Sequence, residues 1–161
     1  MPALSPPVPL APTHDLSAFS CEEEVLNLWL RRRAGKNEGS GASRTYVVCE
    51  GKTVIAYSSL AVGSIEHKFA SGGIRRNMPE AIPVTVLGRL AVDARHTGKN
   101  IGAALVRDAL LRTLRIAGEA GVRAMLVHAL HERAAGFYSR LGFARSPFDP
   151  LVLFLGLQRL G

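Results

Sequence analysis

Residues 90–105, LAVDARHTGKNIGAAL, join an apolar run to a helical pattern through a short polar loop with two glycines. A helix that begins this way presents unpaired backbone N–H groups and the positive end of its dipole, which suits a pyrophosphate. Gly98 and Gly102 lack a Cβ, so backbone can approach phosphate oxygens closely, and Lys99 adds a point charge. The same outline fits an ordinary strand-to-helix turn. It is not a P-loop, which requires GxxxxGK followed by Ser or Thr, nor a GxGxxG dinucleotide fingerprint. A second candidate is Tyr138, within HERAAGFYSRLGF (131–143). A phenol with an ordinary pKa near 10 is protonated at neutral pH and suits the role of a general acid. Phe137-Tyr138 also reads as an aromatic pair packing a short helix. His128 and His131 straddle a strand-to-loop junction without a carboxylate or thiol beside them, so no metal site is expected.

The elements that must position these groups are readable from periodicity. Ser20 followed by Glu23 reads as a capping box, and Val25, Leu26, Trp29 and Leu30 recur at helical spacing, which predicts a helix over about 21–34. Arg31, Arg32 and Arg33 sit where cations suit its C-terminal dipole. GKNEGSGAS (35–43) is expected as a flexible loop. TYVVCEGKTVIAYSSLAV reads as a hairpin turning at Glu50-Gly51, and residues 66–82 as irregular. Residues 83–93 form a buried-looking strand, 101–119 a helix stopped by Gly121, 122–130 a strand, 132–141 a short helix, and LVLFLGL a last strand. The first dozen residues contain five prolines and are expected as an extended arm or edge strand over about 1–13.

A chain of 161 residues suits one domain (1–161) rather than two. Hydrophobic residues make up 47%, the proportion of a globular protein and not of a disordered one. No apolar run reaches the roughly 18–20 residues of a membrane span, and the N-terminus lacks the basic and apolar regions of a secretory signal. Cys21 and Cys49 stand apart, with no metal-ligand spacing, which fits a reduced compartment, so the cytoplasm is expected. Net charge is +7, carried by 16 arginines and only 4 lysines. Arginine pairs with phosphate bidentately and stacks on bases, so a polyanion is a natural partner. Candidates for gripping one are Arg75 and Arg76, Arg89 inside an apolar strand, and Lys36 and Arg44 flanking the 35–43 segment. Each has a plain alternative: charge runs are usually solvated faces, and Arg89 is either salt-bridged structurally or aimed at substrate. Trp29 reads as core or as a dimer contact, and the two cysteines as small buried residues.

Residues 90–105 and 131–143, in this order and separated by one helix and one strand, resemble motifs A and B of the GNAT N-acetyltransferases. The motif A loop usually reads Gln or Arg, two variable residues, Gly, one variable residue, then Gly or Ala. With its last glycine on Gly102, Thr97 stands in the place of Gln or Arg and Asn100 in that of the first Gly. Asparagine tolerates positive φ better than other non-glycine residues, so the loop can keep its shape. Ala134, Phe137, Tyr138, Gly142 and Phe143 fit motif B position by position. HDLSAFSCEEEVLNLWL, ASRTYVVCEG and RRNMPEAIPVTVLGRLAVD look like a narrower group, the GNAT toxins of type II toxin–antitoxin systems, a likeness running from about His14 to Leu157.

The resemblance implies an α/β (α+β) GNAT fold, a mixed central sheet with splayed strands flanked by helices. It implies acetyl-CoA as co-substrate, held by Leu90, Ala91, Val92, Thr97, Gly98, Lys99, Asn100, Ile101, Gly102, Ala103 and Phe137, with no metal. Tyr138 would protonate the departing CoA sulfur, and an amide among Leu90–Val92 would reach the thioester oxygen. The implied reaction is acetylation of the α-amino group of aminoacyl-tRNA, which blocks translation, with Arg75, Arg76, Arg89, Lys36 and Arg44 as candidate tRNA contacts. A ribbon-helix-helix antitoxin and a homodimer are the implied partners. Two other readings stay open: acetylation of a small amine or protein N-terminus, and a GNAT-shaped module that binds RNA or protein without catalysis.

Overall fold

A computed structural model describes residues 3–66, 70, 72–75 and 81–157. Seven strands form one mixed sheet in the order β1-β2-β3-β4-β5-β7-β6. The chain divides into two compact units, one of residues 1–61 and 88–109, the other of 62–87 and 110–161.

The first unit opens with the proline-rich arm. Its strand β1 (Val8–Pro9) lies antiparallel to β2 (Arg44–Glu50), pairing Val8 with Val47 and Pro9 with Tyr46. An edge strand tolerates proline because its missing N–H faces no second neighbour. β2 turns through Gly51, at φ 63°, into β3 (Thr53–Glu66), as the hairpin pattern predicts. The helical region differs from expectation at both ends. Its first helix, α1 (Glu24–Trp29), begins at the N-cap Glu23 without a side-chain cap. Ser20 is not a cap; its amide donates to Asp93 Oδ2 at 3.1 Å. Entry is instead fixed by Asn27, whose Oδ1 accepts from the Cys21 amide and whose Nδ2 donates to the Cys21 carbonyl.

The helix then continues through a π-turn (Leu30–Ala34) into α2 (Gly35–Ser40), where a loop was expected. Each glycine there lowers helix propensity by about 1 kcal/mol. Glu38 offsets this, accepting from the Thr45 amide at 2.9 Å and pairing with Arg44 at 2.8 Å. Gly41, at φ 78°, ends the run in the left-handed conformation. Leu30 and Ala34 are fully buried while Arg31, Arg32 and Arg33 are exposed. The core beneath gathers Phe19, Leu26, Trp29, Val47, Val54 and Tyr57. Trp29 stacks on Tyr57 at 5.8 Å and lies in the core, one of the two roles the sequence left open for it. Cys49 is buried; Cys21 is only partly so.

β4 (Ala81–Val92) changes face along its length. Thr85 bonds Thr113 of α4 (Ile101–Glu119), so odd-numbered residues face that helix. Further on, the even-numbered Leu90 and Val92 pack with Ile101 and Leu105 of the same helix. Side chains alternate strictly in a regular strand, so the pattern has slipped by one residue, the signature of a β-bulge. Gly88 and Arg89 therefore share the face away from α4.

In the second unit, Val84–Leu87 pair in parallel with Ala124–Val127 of β5 (Ala124–His128). β5 is antiparallel to β7 (Val152–Gly156), which also pairs with the unpredicted two-residue β6 (Ala144–Arg145). Its core includes Ile74, Ile82, Val84, Ala124 and Phe154. Within the stretch expected to be irregular, Gly72–Arg75 forms one helical turn, α3, whose Ile74 carbonyl accepts from Arg123 Nε. α4 matches its expected span residue for residue, although Gly121 does not adopt a positive φ. α5 (Glu132–Arg140) follows β5.

Candidate functional site

The loop after β4 is built on Asp93. Its buried carboxylate caps a 3-10 turn (Ala94–His96) by accepting from the Arg95 amide at 2.9 Å, and holds the Arg95 guanidinium at 3.0 Å. Burial would raise this carboxyl, but hydrogen bonds from Arg95 and from the Ser20 amide outweigh it and bring the pKa down to about 2. The chain then turns through Gly98 at φ 80° and Asn100 at φ 61°, the one non-glycine residue at positive φ among those described. Asn100 thus does the conformational work expected of a glycine. The first helical bond of α4 runs from the Ala104 amide to the Asn100 carbonyl. The amides of Gly98, Lys99, Asn100, Ile101, Gly102 and Ala103 donate to no acceptor among the described residues. Ile101 is buried and anchors the helix start, while Thr97 to Asn100 are exposed. The Thr97 hydroxyl is turned back on the Ala94 carbonyl, and Lys99 Nζ lies 3.2 Å from His96 Nδ1. Six unpaired amides at and just before the start of a 19-residue helix supply donors of the kind a diphosphate requires. Leu90, Ala91 and Val92 lead into it, beyond the parallel ladder that ends at Leu87.

The second unit presents Tyr138 on α5. His131 starts the helix, its Nδ1 accepting from the Ala134 amide at 3.2 Å, which explains this histidine as a cap. The helix closes with a Schellman arrangement. The Phe143 amide donates to the Tyr138 carbonyl and the Gly142 amide to the Ser139 carbonyl, with Gly142 at φ 103°. This turn folds Phe143 back onto Tyr138, ring centres 5.7 Å apart, while Phe137 meets the same ring edge-on at 5.2 Å. The FY–LGF spacing is therefore a positioning device for one phenol. Tyr138 is 7% exposed, and its hydroxyl makes no hydrogen bond among the described residues. Burial pushes its pKa up, so the group stays protonated across the neutral range and can serve as a donor, not as a base.

The candidate polyanion contacts divide. Arg89 is half-buried, with its guanidinium carbon 4.4 Å from the Trp29 ring centre, and no carboxylate pairs with it among the described residues. Burial, together with the nearby Arg33 charge, lowers its pKa. Arg44 is held by Glu38, and so has a structural task at the start of β2. Lys36 is exposed on α2, and Arg75 exposed on α3; Arg76 lies outside the described residues. The first unit contains the loop, Arg89, Lys36 and Arg44; the second contains Tyr138, Phe137 and Arg75. Among the described residues there is no group of three or more His, Cys, Asp or Glu able to hold a metal ion. Sequence reasoning overlooked Asp93 as the keystone of the loop, because its partners at Ser20 and Arg95 are joined only by the fold.

The profile of the acetyltransferase (GNAT) domain family matches residues 41–145. A tRNA-acetylating toxin of Mycobacterium tuberculosis is 43% identical over 155 residues, which are 96% of this chain and 93% of that protein. Among solved structures, AtaT complexed with acetyl-methionyl-tRNAfMet superposes with a TM-score of 0.91 at 28% identity, covering 98% of this chain and 97% of that one. A tyrosine-to-phenylalanine mutant of AtaT, bound to the C-terminus of the antitoxin AtaR and to acetyl-CoA, gives 0.84 at 28% identity, covering 98% and 96%.

Proposed function

Because the chain belongs to the GNAT acetyltransferase family, we infer that it is an acetyl-CoA-dependent N-acetyltransferase that acts as a toxin by acetylating the α-amino group of aminoacyl-tRNA. The observation that carries this reading is the near full-length identity with a tRNA-acetylating toxin. It is supported by the fold shared with AtaT in its tRNA complex. Acetyl-CoA supplies the acetyl group as an activated thioester. The unpaired amides of Gly98 to Ala103 and the charge of Lys99 fit its diphosphate, and Leu90, Ala91 and Val92 offer strand backbone to its pantetheine arm. Thr97 contributes by bracing the loop through Ala94, and Phe137 by flanking Tyr138.

Tyr138 holds the proton that the departing sulfur needs. The phenol is kept neutral by burial and has no competing acceptor, so its proton is available when negative charge develops on the leaving group. No residue need act as a strong base, because water can take the proton that the attacking nitrogen sheds as the N–C bond forms and the C–S bond breaks. An α-amine has a pKa of about 7.7 to 8.0, and a substantial fraction is neutral at physiological pH. Arg89, Lys36, Arg75 and Arg76 are the proposed contacts to the tRNA backbone, with Arg44 engaged chiefly by Glu38. The proposed partners are an antitoxin of ribbon-helix-helix type and a second copy of the chain. None of the described helices is long and apolar enough to cross a membrane. The proposed place of action is the cytoplasm, where charged tRNA is found.

Mass spectrometry of the amino acids released from charged tRNA, after incubation with the protein and acetyl-CoA, tests the substrate. N-acetylated aminoacyl groups are expected. Acetylation of free amines or peptide N-termini, with charged tRNA untouched, would move the assignment to another acceptor.

A further inference from the structure

At the β4 bulge, Gly88 lies against a serine whose hydroxyl has no protein partner among the described residues. Ser59 of β3 stands opposite Thr45, and Tyr57 opposite Val47, so Ser59 and Tyr57 share the face that meets α1. A Cβ placed on Gly88 would lie 3.1 Å from Ser59 Oγ, closer than most side-chain contacts, so the glycine keeps this spot open. Next along the strand, Arg89 covers Trp29 on the same face. Ser59 is only 2% exposed, yet its hydroxyl makes no hydrogen bond among the described residues. It also differs from Thr45 and Ser58, whose unbonded hydroxyls are sealed from solvent. A nearly buried hydroxyl without a partner is costly unless a ligand supplies one.

The direction of approach identifies the ligand. Leu90 and Val92 face α4, whose N-terminal amides fit the diphosphate, whereas Gly88, Arg89 and Ser59 face the other way. An acceptor that approaches from the face opposite the diphosphate meets Ser59 and Arg89. We propose that Ser59 Oγ, in the gap left by Gly88, accepts a hydrogen bond from an N–H of the attacking α-amine, while Arg89 lies beside the acceptor's anionic backbone. This orients the nitrogen lone pair without removing a proton, and it makes Ser59 an acceptor-binding residue. The proposal rests on the aminoacyl-tRNA reading above.

The test compares wild type with Ser59→Ala, using charged tRNA as the varied substrate at saturating acetyl-CoA. Acetyl-CoA affinity is measured by calorimetry and melting temperature alongside. Expected for Ser59→Ala is a loss of roughly 5- to 100-fold in kcat/KM for charged tRNA, the range for one hydrogen bond to a polar or charged group. Acetyl-CoA affinity should stay within about twofold, and melting temperature should hold or rise, since an unbonded hydroxyl has been removed. Gly88→Ala, which fills the gap, should cause the same acceptor-selective loss. Wild-type kcat/KM in Ser59→Ala overturns the proposal, as does a parallel loss of acetyl-CoA affinity or melting temperature. A wild-type protein that leaves charged tRNA unmodified would overturn the substrate reading instead. The same comparison on the amine it does acetylate then decides the role of Ser59.

Discussion

Tyr57 and Tyr138 are both buried, and burial pushes both phenols well above their ordinary pKa, but their hydroxyls have opposite fates. Tyr57 donates to the Leu26 carbonyl at 2.6 Å and stacks on Trp29, so its hydroxyl is consumed in joining α1 to the sheet. Tyr138 is held by ring contacts and by the turn at Gly142, with no hydrogen bond to its oxygen among the described residues. Burial alone does not leave a phenol's proton available. What distinguishes Tyr138 is that the packing fixes the ring and leaves the proton unspent.

The largest effect expected is at Tyr138. Replacing it with phenylalanine should lower kcat by roughly 10² to 10⁴, with melting temperature nearly unchanged, as measured by steady-state acetylation and thermal unfolding. A variant that keeps full turnover breaks the comparison outright. Asp93 comes next. Its folded pKa of about 2 lies below the ordinary carboxylate value, so its stabilisation is present above about pH 4 and is lost as pH falls towards 2. Asp93→Asn should cost about 2 kcal/mol at neutral pH and flatten the stability profile between pH 4 and 2. Denaturant titrations across that range check both. Tyr57→Phe should cost about 1 kcal/mol, a shift of about 2 to 4 °C in melting temperature, while the folded fraction keeps its acetyl-CoA affinity. The smallest change is at Asn100. Glycine there relieves the positive φ, so Asn100→Gly should alter stability by about 0.5 kcal/mol or less and retain acetyl-CoA binding. Loss of binding on calorimetry would give the Asn100 side chain a role beyond backbone shape.

The two regions also differ in how far the sequence foretold them. The closing turn of α5 is local: Tyr138, Gly142 and Phe143 lie within one short segment, and their spacing alone defines the motif. α4 is equally local, and its span followed from the polar stripe of Asp108, Arg112, Arg115 and Glu119 at helical spacing. The region around Tyr57 depends on partners distant in sequence. Ser20 and Glu23 look like a capping box, but the Ser20 amide is taken by Asp93, and Asn27 ties down the chain entering α1. GKNEGS has loop composition, yet Glu38 finds Arg44 and the Thr45 amide beyond the turn, and the helix persists to Ser40. The bulge at Gly88-Arg89 breaks strand alternation with no local signal except the glycine itself.

Single-turnover transfer with acetyl-CoA already bound tests the central claim most directly, comparing Tyr138→Phe with Tyr57→Phe. Tyr138→Phe should bind acetyl-CoA as tightly as wild type and transfer at least about 100-fold more slowly, whereas Tyr57→Phe should transfer at the wild-type rate. Equal transfer rates in the two variants, or a Tyr138→Phe defect that appears wholly as lost acetyl-CoA affinity, would contradict the assignment of Tyr138 as the proton donor.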